Sequence, residues 1–547
     1  MKIIHRLLTT LFFISLVMPG GQCPAASHEN NGLDPANPVA QVVQTETIYS
    51  VKPARSLNNL FAGIVLPQNP GMADNNWNSA HQDSYNSDSV GLSGPTGGQL
   101  KLIQKENPYG FTSIMACNVN NQMIGNSFSF TDLKYRLIVF DHNLNIISAT
   151  VTGNFVPNSF GGGYFYLNED NNSVFIGDNK MKCYPTADVE DTGKVSSLDP
   201  LWVSDDIVAL VTESSEQNSL YASLPVWGQP NMYWCLLAGG YDFDSSALIS
   251  PAYIALVRIV PDEGQSNGCT TTLIAKMELP GQWNNNTLAV DDQGAYFVTN
   301  GCSDGPCDTG YLYAVAFDSK KGRISPRWKY EYKNSGLLKT GTNNIGSGTS
   351  PTIIENQRGL KRVVIADNAY PRLNVIVVDH KNGHLIAELP VFPEMRGCSE
   401  ASPIGVGNSI VIENNFGHTV DPQISQLEPN EPGLALIEMG TNNSRSRPKM
   451  VWENDQTSFF GMSHLARESG IIFVNTGDWD DEIASEEGGM YYISAIDSWD
   501  GRIIWQVPVG RGRDYCHDYG GIYFDHDENL YVGTESYLFS IQNYTSE

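Results

Sequence analysis

Two imidazoles and one carboxylate are the side chains of this sequence best placed to do chemistry. His464 closes the loop Gly461-Met462-Ser463-His464, His517 sits within Arg513-Asp514-Tyr515-Cys516-His517-Asp518, and Glu400 ends Gly397-Cys398-Ser399-Glu400. A neutral imidazole is both a proton acceptor and a metal ligand, and a carboxylate serves either task. If the three converge, they predict acid–base work or a divalent metal site. Arg513, Asp518, Asn414, Asn415, His418, Asp478 and Asn285 occupy loops of the same kind and are the expected ligand-binding residues. The plainer alternative is that these loops are hydrated and their polar groups bond the local backbone; no fixed spacing motif chooses between the two.

Stronger signatures are missing. No Gly-x-Ser-x-Gly elbow, HExxH helix, GxxxxGK loop or GxGxxG fingerprint occurs, so whether the chain is an enzyme stays open. Asp478, Asp480 and Glu482 alternate as calcium ligands do, but Ile483 stands where an EF-hand loop needs glycine, and an acidic solvated loop is expected. Asp525-His526-Asp527-Glu528-Asn529 has the same defect and is read as a turn between two strands. His142, His380 and His384 fall at strand ends or hairpins and are expected at the surface.

The elements that must position these loops form a repeat. Short apolar runs end in an acid followed four residues later by glycine: Leu312 to Phe317 ends at Asp318 with Gly322, Val375 to Val378 at Asp379 with Gly383, and Tyr491 to Ile496 at Asp497 with Gly501. With Glu438, which ends Leu434 to Ile437, the acids fall 61, 59 and 59 positions apart. That period suits a four-stranded propeller blade. The Asp side chain can cap its own turn while Gly takes the positive φ of the hairpin. Third strands near 138, 181, 255, 315, 377, 436, 495 and 539 predict an all-β, eight-bladed β-propeller, with seven blades as the alternative. The last blade lacks a fourth strand; Gln99 to Gln104 has the right pattern to supply it and close the ring. In that geometry the loops carrying the candidate residues share one rim, and the Asp-to-Gly hairpins share the other.

Composition fits an exported protein. Lys2 and Arg6, an apolar core from Leu7 to Val17 and a break at Pro19-Gly20-Gly21 mark residues 1–26 as a signal peptide, followed by an extension over 27–76 and the propeller over 77–547. The expected location is secreted or periplasmic, with no membrane span. Sixty acidic against 33 basic residues, net charge −27, argue against nucleic acid as a partner. Eight cysteines follow the leader; Cys302 and Cys307 bracket a turn and are the expected disulfide, while the pairing of the others stays open.

Two stretches carry a family resemblance. Trp77-Asn78-Ser79-Ala80-His81-Gln82-Asp83-Ser84-Tyr85-Asn86-Ser87, followed by Gly94-Pro95, and the blade segment Ala495 to Trp505 resemble pyrroloquinoline-quinone-repeat proteins of the quinoprotein alcohol dehydrogenase-like superfamily. The resemblance covers about residues 77 to 542. It implies a propeller, and it brings in a divalent metal or pyrroloquinoline quinone as the cofactor to consider. The adjacent cysteines typical of the quinone site are missing, and Arg513 stands where a CxxCH haem motif would need its first cysteine. The leading expectation is therefore an exported propeller whose polar rim binds a small-molecule or protein ligand. The alternative is an oxidoreductase with a metal or quinone at the channel mouth, and a third reading is a cofactor-free hydrolase or lyase using His464 or His517 with Glu400.

Overall fold

The computed structural model describes residues 44–54, 58–155, 162–212, 218–242, 247–284, 286–301, 308–342, 344–417, 431, 433–440, 448–454, 461–477, 489–517 and 520–545. The chain forms a β-propeller of eight blades. Their third strands are Lys134–Phe140, Lys180–Tyr184, Ala252–Pro261, Thr309–Asp318, Leu373–Asp379, Leu434–Glu438, Met490–Asp497 and Tyr537–Asn543, each antiparallel to the strand before it. These are the eight expected from the repeat, which settles the count against seven.

The blades stack because their strands are apolar on both faces. Val364, Val375 and Val377 of the fifth blade pack against Ile410, Ile412, Ala435 and Ile437 of the sixth. Each such side chain, fully withdrawn from water, contributes roughly 1.5–3 kcal/mol before conformational entropy is counted. The acid-to-glycine hairpins add a directional contact between some neighbours. Asp379 Oδ1 accepts from Lys381 N at 2.8 Å and Asp497 Oδ1 from Trp499 N at 2.9 Å, while Gly383 and Gly501 take φ of 69° and 74°. With no Cβ on those glycines, the preceding blade's tryptophan lies flat against each turn. Trp328 Nε1 donates to His380 O at 2.8 Å and Trp452 Nε1 to Ser498 O at 2.9 Å. One expected surface residue is corrected here. His380 is 1% exposed, its Nε2 lying 2.7 Å from Asp291 Oδ2 and 2.5 Å from the Tyr296 hydroxyl, because its hairpin is pressed into the blade beside it. His142 and His384 are exposed as expected. The turn at Asp525 also holds: its Oδ1 accepts from Asp527 N and Asn529 N, both at 2.9 Å.

Ring closure uses the N-terminal strand. Gly98–Glu106 pairs with Tyr537–Asn543 (Leu102 opposite Ile541), and Gln44–Val51 then adds a fifth, outermost strand (Thr47 opposite Leu102). The extension thus packs on the ring, and its Phe61 is buried against the sixth and seventh blades.

Between extension and closing strand the chain enters the channel itself. Carbonyls of Trp77, Asn78, Ser84, Tyr85, Ser87, Asp88 and Val90 accept hydrogen bonds from Cys117, Leu167, Val290, Ile353, Gly405, Leu465 and Arg467. These donors belong to the innermost strands of blades one, two, four, five, six and seven, in that order. Residues 77–90 therefore run around the inside of the ring as a plug, buried at every position. Such a polar stretch can be buried because nearly every blade offers it an inner-strand N–H.

Candidate functional site

The plug brings a histidine and an aspartate to the middle of the channel. His81 Nδ1 lies 3.0 and 3.2 Å from the two oxygens of Asp88, seven residues on, and both residues are buried. His464, at the start of the seventh blade's inner strand His464–Ala466, approaches Asp88 Oδ1 from the other side, its Nε2 at 3.2 Å. His464 Nδ1 meets the backbone of Ile522, in short contact with its carbonyl oxygen and 3.1 Å from its N–H, so Nε2 is the nitrogen that faces Asp88. Burial opposes the charge of Asp88, but the two imidazoles outweigh it and hold the carboxyl below the usual range. Asp88 is thus an ionised carboxylate hydrogen-bonded by His81 Nδ1 and faced by His464 Nε2.

With Nδ1 committed to Asp88, Nε2 is the nitrogen of His81 left to meet another group. His81 Nε2 is buried without a hydrogen-bond partner, and the residue lines a cavity of about 50 Å³ together with Tyr164, Ser350, Glu400, Ser402, Asn415 and Met462. That volume holds more than one water-sized group. The lining comes from loops that lead into the second, fifth, sixth and seventh blades, so the cavity lies on the rim expected to carry function. Tyr164 stacks on His81 with ring centroids 5.9 Å apart and bonds Ser350; its phenol is pushed up by burial and by the Glu400 charge. Glu400 Oε2 accepts from Asn344 Nδ2 at 3.0 Å. Its other oxygen lies so close to Gly348 that a Cβ there would come within 2.3 Å of it and 2.7 Å of Ser399 O, so a side chain at 348 would displace the carboxylate.

Below the lining, Glu413 is also buried. It accepts a short hydrogen bond from Ser463 Oγ, and burial, with the Asp88 charge, pushes its carboxyl up to about 8. It is therefore neutral at pH 7. Asp83 in the plug is raised to about 6 by burial, against the hydrogen bonds from Ser87.

The expected residues divide as follows. Glu400 lines the cavity. Asn415 does so as well, while its Oδ1 accepts from Glu400 N at 2.8 Å. His464 sits behind the cavity, holding Asp88. His517 is buried, with Nε2 3.2 Å from Gly521 O. Asn414 bonds loop backbone, accepting from Cys398 N at 3.1 Å and donating to Arg396 O at 2.9 Å. Asn285, His418, Asp478, Asp518 and the pair Cys302 and Cys307 lie outside the described residues, as does the side chain of Arg513. Among the described residues, no three His, Cys, Asp or Glu side chains gather at metal-binding spacing, and no helix is long and apolar enough to cross a membrane. Cys117, Cys183, Cys235 and Cys269 are buried thiols. The plug fills the channel over residues 77–90, and the cavity lies at the mouth above it.

Sequence reasoning missed His81, Asp88, Tyr164 and Glu413. Asp83, Asp88 and His81 lie in a polar run without apolar periodicity, and nothing local marks such a run as buried.

Comparison with known proteins identifies no family for the chain. No family profile and no curated protein sequence matches the chain. Among solved structures, the chain is similar to the WD40 domain of SCAP from fission yeast (TM-score 0.42, 9% identity, covering 80% of this chain and 96% of that one). It is also similar to the dihydro-heme d1 dehydrogenase NirN (TM-score 0.38, 11% identity, 84% and 79%) and to streptogramin B lyase (TM-score 0.34, 9% identity, 81% and 97%).

Proposed function

We propose that this chain is an exported propeller of quinoprotein-like descent that binds a small polar ligand, or a protruding group of a larger one, in the cavity at its channel mouth. One observation carries the reading: His81 lines the cavity, and its Nε2 is buried without a hydrogen-bond partner while Nδ1 is anchored by Asp88. Leaving a buried acceptor unsatisfied costs about 1–3 kcal/mol, a cost that a ligand donor removes. The leader-like residues 1–26 support export, and the resemblance of residues 77–87 and 495–505 to quinone-repeat proteins supports the descent.

The test is a ligand-observed NMR screen of compounds of up to about eight heavy atoms, covering sugars, carboxylates, alcohols and amines, against the full chain and against Ala401→Leu, which fills the cavity. Hits that vanish in a folded Ala401→Leu protein support the site. Hits that persist there, or no hit in any class, overturn it.

A further inference from the structure

We propose that the outer edge of the N-terminal strand Gln44–Val51 is a self-association surface, on which a second copy of this chain lays the same strand antiparallel across a two-fold axis. A propeller blade ends in an outer strand whose free side offers backbone N–H and C=O groups, and bulges or short strands keep such edges from pairing. In this molecule the ladder between third and outer strand is broken by a register shift in blades one, three, four, five, six and seven. Blade two ends in the two-residue strand Trp202–Val203. The closing blade has neither device. Gly98–Glu106 pairs with Tyr537–Asn543, and Gln44–Val51 with Gly98–Glu106, each in unbroken register. Among the described residues Gln44–Val51 is the outermost strand of that sheet, and it is exposed along most of its length, with Ile48 at 48%.

Charge and pattern together choose the partner. Each copy carries −27 overall, but at physiological ionic strength charges farther apart than about 8 Å are largely screened, so those beside the edge decide. On the two outer strands and the residue that follows the first, Lys52, Lys101 and Lys105 stand against Glu46 and Glu106, a balance that does not repel a second copy. The strand also complements itself. Antiparallel pairing centred on Tyr49 sets Glu46 of each copy opposite Lys52 of the other, Thr47 opposite Val51 and Ile48 opposite Ser50, with no like charges facing. Lys101 Nζ, 3.0 Å from Glu46 Oε1, holds that carboxylate on the sheet next to the edge. Thr45, Thr47, Ile48 and Val51 are β-branched and suit an extended ladder. Eight residues make a ladder about 27 Å long, a contact smaller than the roughly 1,200 Å² of stable complexes, so the dimer is weak and concentration-dependent.

The experiment is sedimentation velocity of the full chain in reductant, from about 5 to about 500 μM at physiological ionic strength, paired with hydrogen exchange read by mass spectrometry at both ends of that range. A reversible monomer–dimer equilibrium is expected, with exchange in the peptide spanning residues 44–51 slowed at the high concentration. Glu46→Lys and Lys52→Glu should each weaken the dimer about tenfold, because each turns two facing ion pairs into two repulsions. The double variant Glu46→Lys/Lys52→Glu should restore it. Both residues are exposed, and a thermal melt checks that each monomer keeps its fold. A chain that stays monomeric throughout the range, or a dimer protected elsewhere, overturns the proposal. Charge reversal without loss and rescue does so as well. Protection of residues 44–51 that is the same at both concentrations would show an edge covered within the single chain, and it overturns the proposal too.

Discussion

Replacing Glu413 by glutamine should stabilise the protein, and by an amount that depends on pH. Glu413 ends the strand Ser409–Glu413, is 3% exposed, and has one oxygen bonded by Ser463 and the other without a partner. Burial raises its carboxyl from 4.5 to about 8 in the folded protein. Between those two values the native state holds a proton that the unfolded chain releases, so stability falls as pH rises through that window and is flat outside it. At about 1.4 kcal/mol per pH unit, the cost reaches about 3 kcal/mol at pH 7 and levels near 5 kcal/mol by pH 9. Glutamine has the same shape, can accept from Ser463 and needs no proton. The Glu413→Gln protein should therefore match the wild type near pH 4.5, exceed it by about 3 kcal/mol at pH 7 and by about 5 kcal/mol at pH 9. Guanidinium unfolding at the three pH values measures this, and taking the difference between the two proteins cancels other titrating groups such as Asp83. A stability difference that does not change with pH, or a variant less stable than wild type at pH 9, would refute the buried neutral carboxyl.

Asp88→Asn removes the charge that two imidazoles face and should cost about 3–5 kcal/mol in the same unfolding assay, whereas a near-zero effect would mean the histidines do not depend on it. Gly383→Ala must keep φ at 69° and place a Cβ 2.7 Å from the Trp328 ring, whereas Gly322→Ala keeps φ at 61° in open space. The second should lose about 1 kcal/mol and the first clearly more, and equal losses would show that the tryptophan contact contributes nothing. Burial pushes the thiols of Cys183 and Cys235 up to about 12, so a disulfide reagent at pH 8 should leave both unmodified in the native protein and label them once it is unfolded. Mapping labelled peptides by mass spectrometry reads the outcome, and labelling of either cysteine in the native protein would contradict the packing.

The repeat was legible because it is written locally. An apolar strand, an acid that caps its own turn and a glycine at positive φ are properties of ten consecutive residues; their recurrence at 318, 379 and 497 sets the period, the apolar third strands near eight positions give the blade count, and the missing fourth strand of the last blade points to Gln99 to Gln104. The candidate site was legible only in part. Glu400 and Asn415 reach the cavity because loop position in a propeller dictates the rim, but His464 turned out to brace Asp88 from behind. His380, expected at the surface, is buried because hairpin and tryptophan come from different blades and nothing within either segment announces the other.

The decisive feature, the plug, was invisible for the same reason. Nothing in residues 77–90 marks them as interior: they are polar, lack a period and sit before the first blade. Their burial depends on backbone donors supplied one blade at a time by strands that lie up to 377 residues away in the chain (Val90 to Arg467). What the amino-acid order determined by itself was the blade, because a blade is held by neighbours in sequence. What only the tertiary structure decided was which segment fills the channel and which imidazole faces the cavity, because those are set by a ring that exists only after all eight blades have closed.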